Sequence, residues 1–216
     1  IDACMLGVIL ANNSGGMCCG VTENSYQTIR GMTIVFPNGF VLDTGAPDAA
    51  KTFENEQPHI AQGFLDIRQR ILANPELSER IRLRYQSKNT NGYSLHAFVD
   101  FEKPLDILVH LMIGSEGTLA FSRRLTLQLS RIPAHKVLGV VHFPSFYQAM
   151  EHTREIVALD PDAVELVDRT MIDLARENPE FEATVRQFIQ GEPEAILLVE
   201  FAGDNADEQL ARLKRL

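Results

Sequence analysis

After Pro133 the chain alternates strand-length apolar runs with amphipathic helical stretches, and this alternation limits the architecture more than any other feature of its 216 residues. Lys136 to Phe143, Ala163 to Val167 and Ala195 to Ala202 are short and apolar, so they read as strands. Between them, Ser145 with Gln148 makes a capping-box pattern ahead of a helix to Leu159. A second helix runs through Glu177, Asn178-Pro179 starts a third that ends near Gly191, and Asn205 caps a last one. The order β-α-β-α-α-β-α predicts an α+β layer of ferredoxin type, which takes one strand more than these residues provide.

The segment Arg131-Ile132-Pro133-Ala134 is the expected boundary, because proline cannot sit in a central strand, giving domains at 1–133 and 134–216. In the first, Gly31 to Phe36 and Phe40 to Asp43 flank Asn38-Gly39, a strong hairpin signal. Residues 44–58 read as a polar loop. Ile60, Phe64, Ile67 and Ile71 then recur at helical spacing, and Asn74-Pro75-Glu76 ends that helix and caps another carrying Leu77, Ile81 and Tyr85 on one face. Arg80, Arg82 and Arg84 alternate around that helix and read as a solvated or ion-paired face rather than a phosphate site. Pro104 starts a short helix over 104–112, and residues 118–129 alternate as a strand.

Two glycine-bearing segments carry the functional signal. Ile113-Gly114-Ser115-Glu116-Gly117-Thr118-Leu119 puts two glycines around a polar turn, where positive φ and converging amides suit an anion cradle; a plain strand-entry turn is the competing reading. Gly7 to Gly20 holds Gly15, Gly16 and the pair Asn13-Ser14. Its glycine density predicts a loop rather than a helix, either approaching a neutral or phosphate-bearing ligand or lying open on the surface.

Composition narrows the classes. The 45% hydrophobic content is ample for a core. The net charge of −9 is concentrated in residues 134–216, which carry 8 basic and 16 acidic side chains against 12 and 13 before them, so a nucleic-acid partner is excluded. Cys4, Cys18 and Cys19 are too few for a disulfide framework and lack zinc-ligand spacing, pointing to reduced thiols. No apolar run approaches the roughly 20 residues that span a bilayer, and the expected location is cytoplasmic, with peripheral contact at the inner membrane. His59, His96, His110, His135, His142 and His152 contain no pair at metal spacing, so no metal is expected, and His110 and His142 lie in apolar surroundings as core or edge histidines. The chain starts at Ile1 and stops inside a helical pattern, so both ends read as cut, and apolar edges left there favour self-association into a homo-oligomer.

Taken together, Gly7, Asn13, Gly15, Gly16 and Gly20, the turn Asn38-Gly39 and residues 114–119 resemble the second half of the FAD-binding domain of the vanillyl-alcohol oxidase / p-cresol methylhydroxylase flavoprotein family. Val8, Cys19 and Ala120 depart from the family pattern. Lys88-Asn89-Thr90-Asn91-Gly92-Tyr93 is similar to the segment that precedes the final turn in D-2-hydroxy-acid dehydrogenases. With Cys18-Cys19 and the long insertion before Lys88, it points to bacterial D-2-hydroxyglutarate dehydrogenase-like FAD-linked oxidases, in which a C-terminal iron–sulfur domain is fused. The resemblance implies a PCMH-type FAD-binding domain (its C-terminal part) followed by the first half of a ferredoxin-like cap, with the opening pyrophosphate segment before Ile1.

The resemblance implies FAD as cofactor of the parent protein and D-2-hydroxyglutarate or D-lactate as substrate. Electrons go to an acceptor other than nicotinamide or oxygen, such as an iron–sulfur cluster outside this chain. Asn13, Ser14, Gly15, Gly16 and Gly20 fall to the flavin's central face, Glu116, Gly117 and Thr118 to ribityl or pyrophosphate groups, and Ala120, Phe121 and Ser122 to the adenosine. Glu116 is expected to accept from sugar hydroxyls or to cap its own turn. Glu165, Asp168 and Glu200 are pocket candidates or ordinary strand-end carboxylates; the catalytic base is not assigned. A fragment with one flavin wall is expected to bind FAD weakly. Competing readings are an oxygen-using oxidase, an alkyl-glycerone-phosphate type flavoprotein, which would want a basic cap, and a non-catalytic α/β scaffold.

Overall fold

The computed structural model describes residues 4–216 and divides the chain into a unit ending at Ser130 and a unit spanning Arg131–Leu216. In the first unit, helix α1 (Leu6–Asn12) leads into a 3-10 turn (Met17–Cys19) and the short helix α2 (Ser25–Thr28). Strands β1 (Ile29–Val35) and β2 (Val41–Asp43) form the expected hairpin, with Gly39 at φ 84° and the Phe36 amide donating to the Phe40 carbonyl at 2.9 Å. Helices α3 (Ala49–Glu56), α4 (Pro58–Leu72), α5 (Pro75–Arg84), α6 (Ala97–Asp100) and α7 (Pro104–Met112) follow, and β3 (Phe121–Leu127) closes an antiparallel sheet of order β2-β1-β3. The core beneath it is built from Met32 and Ile34 of β1, Leu42 of β2, Phe53 of α3, and Ile107, Met112 and Ile113 around α7.

Three expectations change here. The segment at Gly7 is helical: only one glycine lies in α1, and burial of Leu10 plus hydrogen bonds back to Ile9 and Leu10 outweigh a cost of about 1 kcal/mol for that residue. The glycines that forbid helix, Gly15, Gly16 and Gly20, all come after it. Residues 49–56, expected as loop, form α3, because Phe53 and Ala49 fall on one face and are buried in the core. On α4 the inward face is Ala61 and Ile71 with Phe64 packed beside them, while Ile67 is 40% exposed. The cap at Asn74 is as expected, its side chain accepting from the Leu77 amide. The arginine row is solvent-facing, with Arg82 3.6 Å from Glu79 and Arg84 donating to Asn89.

The second unit follows the expected order: β4 (His135–Phe143), α8 (Phe146–Val157), β5 (Ala163–Asp168), α9 (Arg169–Glu177), α10 (Pro179–Phe188), β6 (Ala195–Gly203) and α11 (Ala206–Leu213). All pairings are antiparallel in the order β4-β6-β5, so the strand last in sequence fills the slot between the first two, as a ferredoxin-type layer requires. Val137, Val141 and Phe143 of β4, Val164 and Leu166 of β5 and Leu197, Val199 and Phe201 of β6 share one face with Ala149 and Ile156 of α8 and Leu213 of α11. Ser145, Asn178 and Asn205 cap the helices they precede, and Asp168 caps α9 by accepting from the Met171 amide.

The core of the first unit can be tested at Phe53, which is fully buried between Phe36 and Phe64. Phe53→Ala is expected to lower stability by about 3–5 kcal/mol, read from the midpoint of urea unfolding.

Candidate functional site

An α-helix ends with carbonyls that have no partner inside it, and α1 solves this with the distant turn 114–118. The Gly114 amide donates to the Leu10 carbonyl at 3.1 Å and the Glu116 amide to the Ala11 carbonyl at 2.9 Å. Asn13, in left-handed conformation at φ 54°, turns the chain, so that the Ser14 amide reaches Ile9. Side chains repeat the link: Asn12 Nδ2 donates to Glu116 Oε1 at 2.6 Å, and Ser14 Oγ donates to Asn12 Oδ1 at 2.7 Å.

The Lys88–Leu95 segment joins the same knot. Lys88 Nζ donates to the Gly15 carbonyl at 2.7 Å, Ser94 Oγ donates to the Ile113 carbonyl at 2.7 Å, and the Tyr93 hydroxyl meets Thr118 Oγ1 at 2.8 Å. Three segments far apart in sequence thus form one unit, through groups that the sequence pattern alone does not pair.

This geometry corrects the anion-cradle expectation. The amides of Gly114 and Glu116 are spent on α1, that of Ser115 on Met112 at 3.4 Å, and that of Thr118 on Ser115 at 3.0 Å. They do not converge on a vacant point. Gly114 and Gly117 are at φ 81° and 71°, and Glu116 at 52°, so the turn needs its glycines for conformation. Glu116 does not cap its own turn; its Oε1 accepts from Asn12.

Beside the knot lies a concavity of about 520 Å³ floored by Val8 and Ala11 of α1, Met112, Ala120 and Phe121, with Ser115, Glu116, Gly117 and Ser122 at its polar margin. It gathers Glu116, Gly117, Ala120, Phe121 and Ser122 from the residues singled out in the sequence. Thr118, Asn13, Ser14, Gly15, Gly16 and Gly20 are outside its lining. Met5, Val8 and Phe121 are 69, 56 and 68% exposed, an apolar surface of the kind that marks a ligand groove or an interface.

Glycine use agrees with something approaching from outside. A Cβ on Gly7 or Gly16 would meet no atom of this chain within 4 Å, and neither has a positive φ, so neither packing nor conformation within the chain accounts for them. Gly15 is different, because a Cβ there would come within 2.4 Å of Cys19 Sγ. An apolar slot with a narrow polar margin, edged by glycines, fits a flat aromatic group carrying a polar chain, as FAD does.

A second feature was missed by sequence reasoning. His96 is sandwiched between the rings of Tyr26 and Tyr85, at centroid distances of 3.8 and 3.7 Å. Tyr26 donates to Asp100 Oδ2 at 2.9 Å and also meets the edge of His110, which stacks on Phe101. Burial above all, and then the neighbouring His110, pushes the His96 pKa down to about 4. Burial likewise lowers His110, against a raising contribution from its hydrogen bond to the Asp106 carbonyl, and lifts the Tyr26 hydroxyl well above the usual tyrosine value. His110 is the core histidine expected, and His142 accepts from the Gln190 amide at 3.1 Å. The only sign of the cluster in the sequence is Tyr26, Tyr85 and His96 themselves, scattered over three segments.

The remaining candidates take structural places. Asp168 is a helix cap and Glu200 accepts from Lys136 at 2.9 Å. Glu165 sits mid-strand opposite Leu198. No group of His, Cys, Asp and Glu suited to a metal ion occurs among the described residues, and no helix among them is long and apolar enough to cross a membrane.

Residues 132–216 match the family described as FAD linked oxidases, C-terminal domain. The chain is 30% identical over 219 residues to a D-2-hydroxyglutarate dehydrogenase of Pantoea ananatis, covering 96% of this chain and 21% of that protein. It is 26% identical over 216 residues to one of Haemophilus influenzae, covering 95% and 21%. It therefore spans about a fifth of the length of these relatives. Among solved structures, an alkyldihydroxyacetonephosphate synthase superimposes with a TM-score of 0.54 at 14% identity, covering 97% of this chain and 32% of that one, a likeness of fold.

The depressed histidine gives a signed pH prediction. With a folded pKa of about 4 against an ordinary value near 6.5, the stability tied to neutral His96 is complete above the ordinary value. It is lost as pH falls towards the folded value. His96→Phe, which keeps the stack, is expected to flatten that part of the stability profile. NMR titration of the wild-type ring should find its midpoint near 4.

Proposed function

On the premise that residues 132–216 belong to the FAD-linked oxidases, we propose that this chain forms one wall of the FAD site in a flavoprotein that oxidises a D-2-hydroxy acid. D-2-hydroxyglutarate is the first candidate substrate and D-lactate the second. The observation that carries the reading is the likeness to D-2-hydroxyglutarate dehydrogenases over nearly the whole chain, and the apolar concavity with its glycine margin supports it.

In this reading Ala120, Phe121 and Ser122 line the concavity against the adenosine end, and Glu116, Gly117 and Thr118 face the ribityl or pyrophosphate part. Gly15, Gly16 and Gly20 offer main chain to the central face, while Asn13 and Ser14, whose amides close α1, shape the loop that carries them. The knot supplies rigidity: α1 and the turn are tied by two main-chain hydrogen bonds and the Asn12–Glu116 pair, so the wall is positioned before the cofactor arrives. Bound FAD would supply the hydride-accepting chemistry. Lys88 holds the Gly15 carbonyl, which fixes the glycine loop and places a cation beside it. Electrons leave to an acceptor that is neither nicotinamide nor oxygen, an iron–sulfur cluster in another part of the parent protein being the candidate.

Anaerobic addition of D-2-hydroxyglutarate to the full-length flavoprotein is expected to bleach its visible flavin bands, with D-lactate slower and the L-enantiomers inert. Absence of bleaching by every D-2-hydroxy acid rejects the reading. Gly117→Val is expected to strain the turn by about 1–2 kcal/mol and to lower flavin content after purification, measured by absorbance ratio.

A further inference from the structure

The cluster around His96 opens into a cleft of about 230 Å³, separate from the apolar concavity. Several of its inner polar atoms have partners. The Tyr26 hydroxyl is used on Asp100, and the Tyr85 hydroxyl donates to the Tyr93 carbonyl at 2.8 Å and accepts from the Leu95 amide at 3.2 Å. The Asn24 side-chain oxygen caps α2. Two buried atoms are left with no partner, Asn13 Oδ1 and His96 Nδ1, and their residues both line this cleft. Asn13 is only 9% exposed, so its oxygen has given up solvent without replacement, a cost of about 1–3 kcal/mol unless something enters.

The chemistry of the lining narrows what that is. The rings of Tyr26 and Tyr85 spend one face each on His96, and both faces of His96 are covered, so the cluster offers little for stacking an aromatic ligand. One side chain of each charge lines the cleft: Asp100, which accepts from Tyr26, and Arg82, 3.6 Å from Glu79. The rim carries Gln27, Gln86, Ser87 and Asn89, amides and a hydroxyl that can donate or accept. Asn13 Oδ1 requires a donor, and His96 Nδ1 requires a donor or an acceptor according to tautomer. A hydroxyl group provides either. The volume exceeds that of one or two waters, each occupying about 30 Å³ in the liquid.

We propose that the Asn13–His96 cleft is a binding site for a small neutral polyhydroxylated molecule, whose neighbouring hydroxyls satisfy Asn13 Oδ1 and His96 Nδ1. The rim amides bind its remaining oxygens. The cleft shares no lining residue with the apolar concavity, although Asn13 also belongs to the loop assigned to the flavin face.

Erythritol serves as the probe, with the full-length flavoprotein and ligand-observed NMR as the readout. Saturable millimolar binding is expected, weakened about tenfold or more, equivalent to at least 1.4 kcal/mol, by His96→Phe and by Asn13→Gly. The first keeps the aromatic stack and the second tolerates the left-handed backbone at φ 54°. Near-ultraviolet circular dichroism of His96→Phe should match wild type, and its flavin spectrum should be unchanged. No saturable binding, equal binding by both variants, or a crystal soak showing only water at Asn13 and His96 overturns the proposal. So does erythritol binding that appears only after FAD is stripped, because the cleft would then belong to the cofactor.

Discussion

The end of α1 governs the first unit. Its last carbonyls would be costly to bury bare, and the amides of Gly114 and Glu116 satisfy them from a turn about a hundred residues away. That requirement fixes the conformation of the turn, which needs positive φ at Gly114, Glu116 and Gly117 to present its amides in the right direction. It also places α7, which feeds the turn, and β3, which leaves it. The Lys88–Leu95 segment then locks onto both sides. A glycine-rich pattern that suggests anion binding is here first a device for closing a helix, and the candidate ligand surface is what the closed device displays.

Local signals were legible in the sequence wherever a few adjacent residues decide the outcome. Asn38-Gly39 makes its turn because Gly39 takes a left-handed φ of 84° and the Asn38 side chain accepts from the Phe40 amide, and Asn74, Ser145, Asn178 and Asn205 cap helices with their own side chains. The second unit was legible almost entirely for the same reason, since its strand runs and caps alternate without interruption. What failed was decided by distant partners. Helix α3 depends on Phe53 finding the core, and α1 depends on Leu10 being buried and on the borrowed amides of the turn. Glycine density over the whole of 7–20 argued against helix at Gly7, although Gly15, Gly16 and Gly20 all follow the helical stretch.

The candidate site divides in the same way. Residues 116, 117 and 120–122 were singled out by resemblance, and the concavity brings them together because they are consecutive around one turn and the start of one strand. The His96 stack has no comparable trace. Tyr26, Tyr85 and His96 come from three segments, and only packing makes a neutral, buried imidazole of a residue that looks ordinary in sequence. The first unit therefore carries two chemically distinct surfaces, an apolar slot edged by Gly7 and Gly117 and a polar cleft with two unpartnered buried atoms. Neighbouring residues serve the two: Asn12 donates to Glu116, which lines the slot, and Asn13 lines the cleft.

Photolabelling distinguishes whether the knotted α1 and turn form the proposed wall of an FAD site. An azido derivative of FAD bound to the full-length protein and irradiated should modify peptides containing residues 5–20 or 115–122, with unmodified FAD protecting them. Labelling confined to peptides outside these two segments would contradict the account.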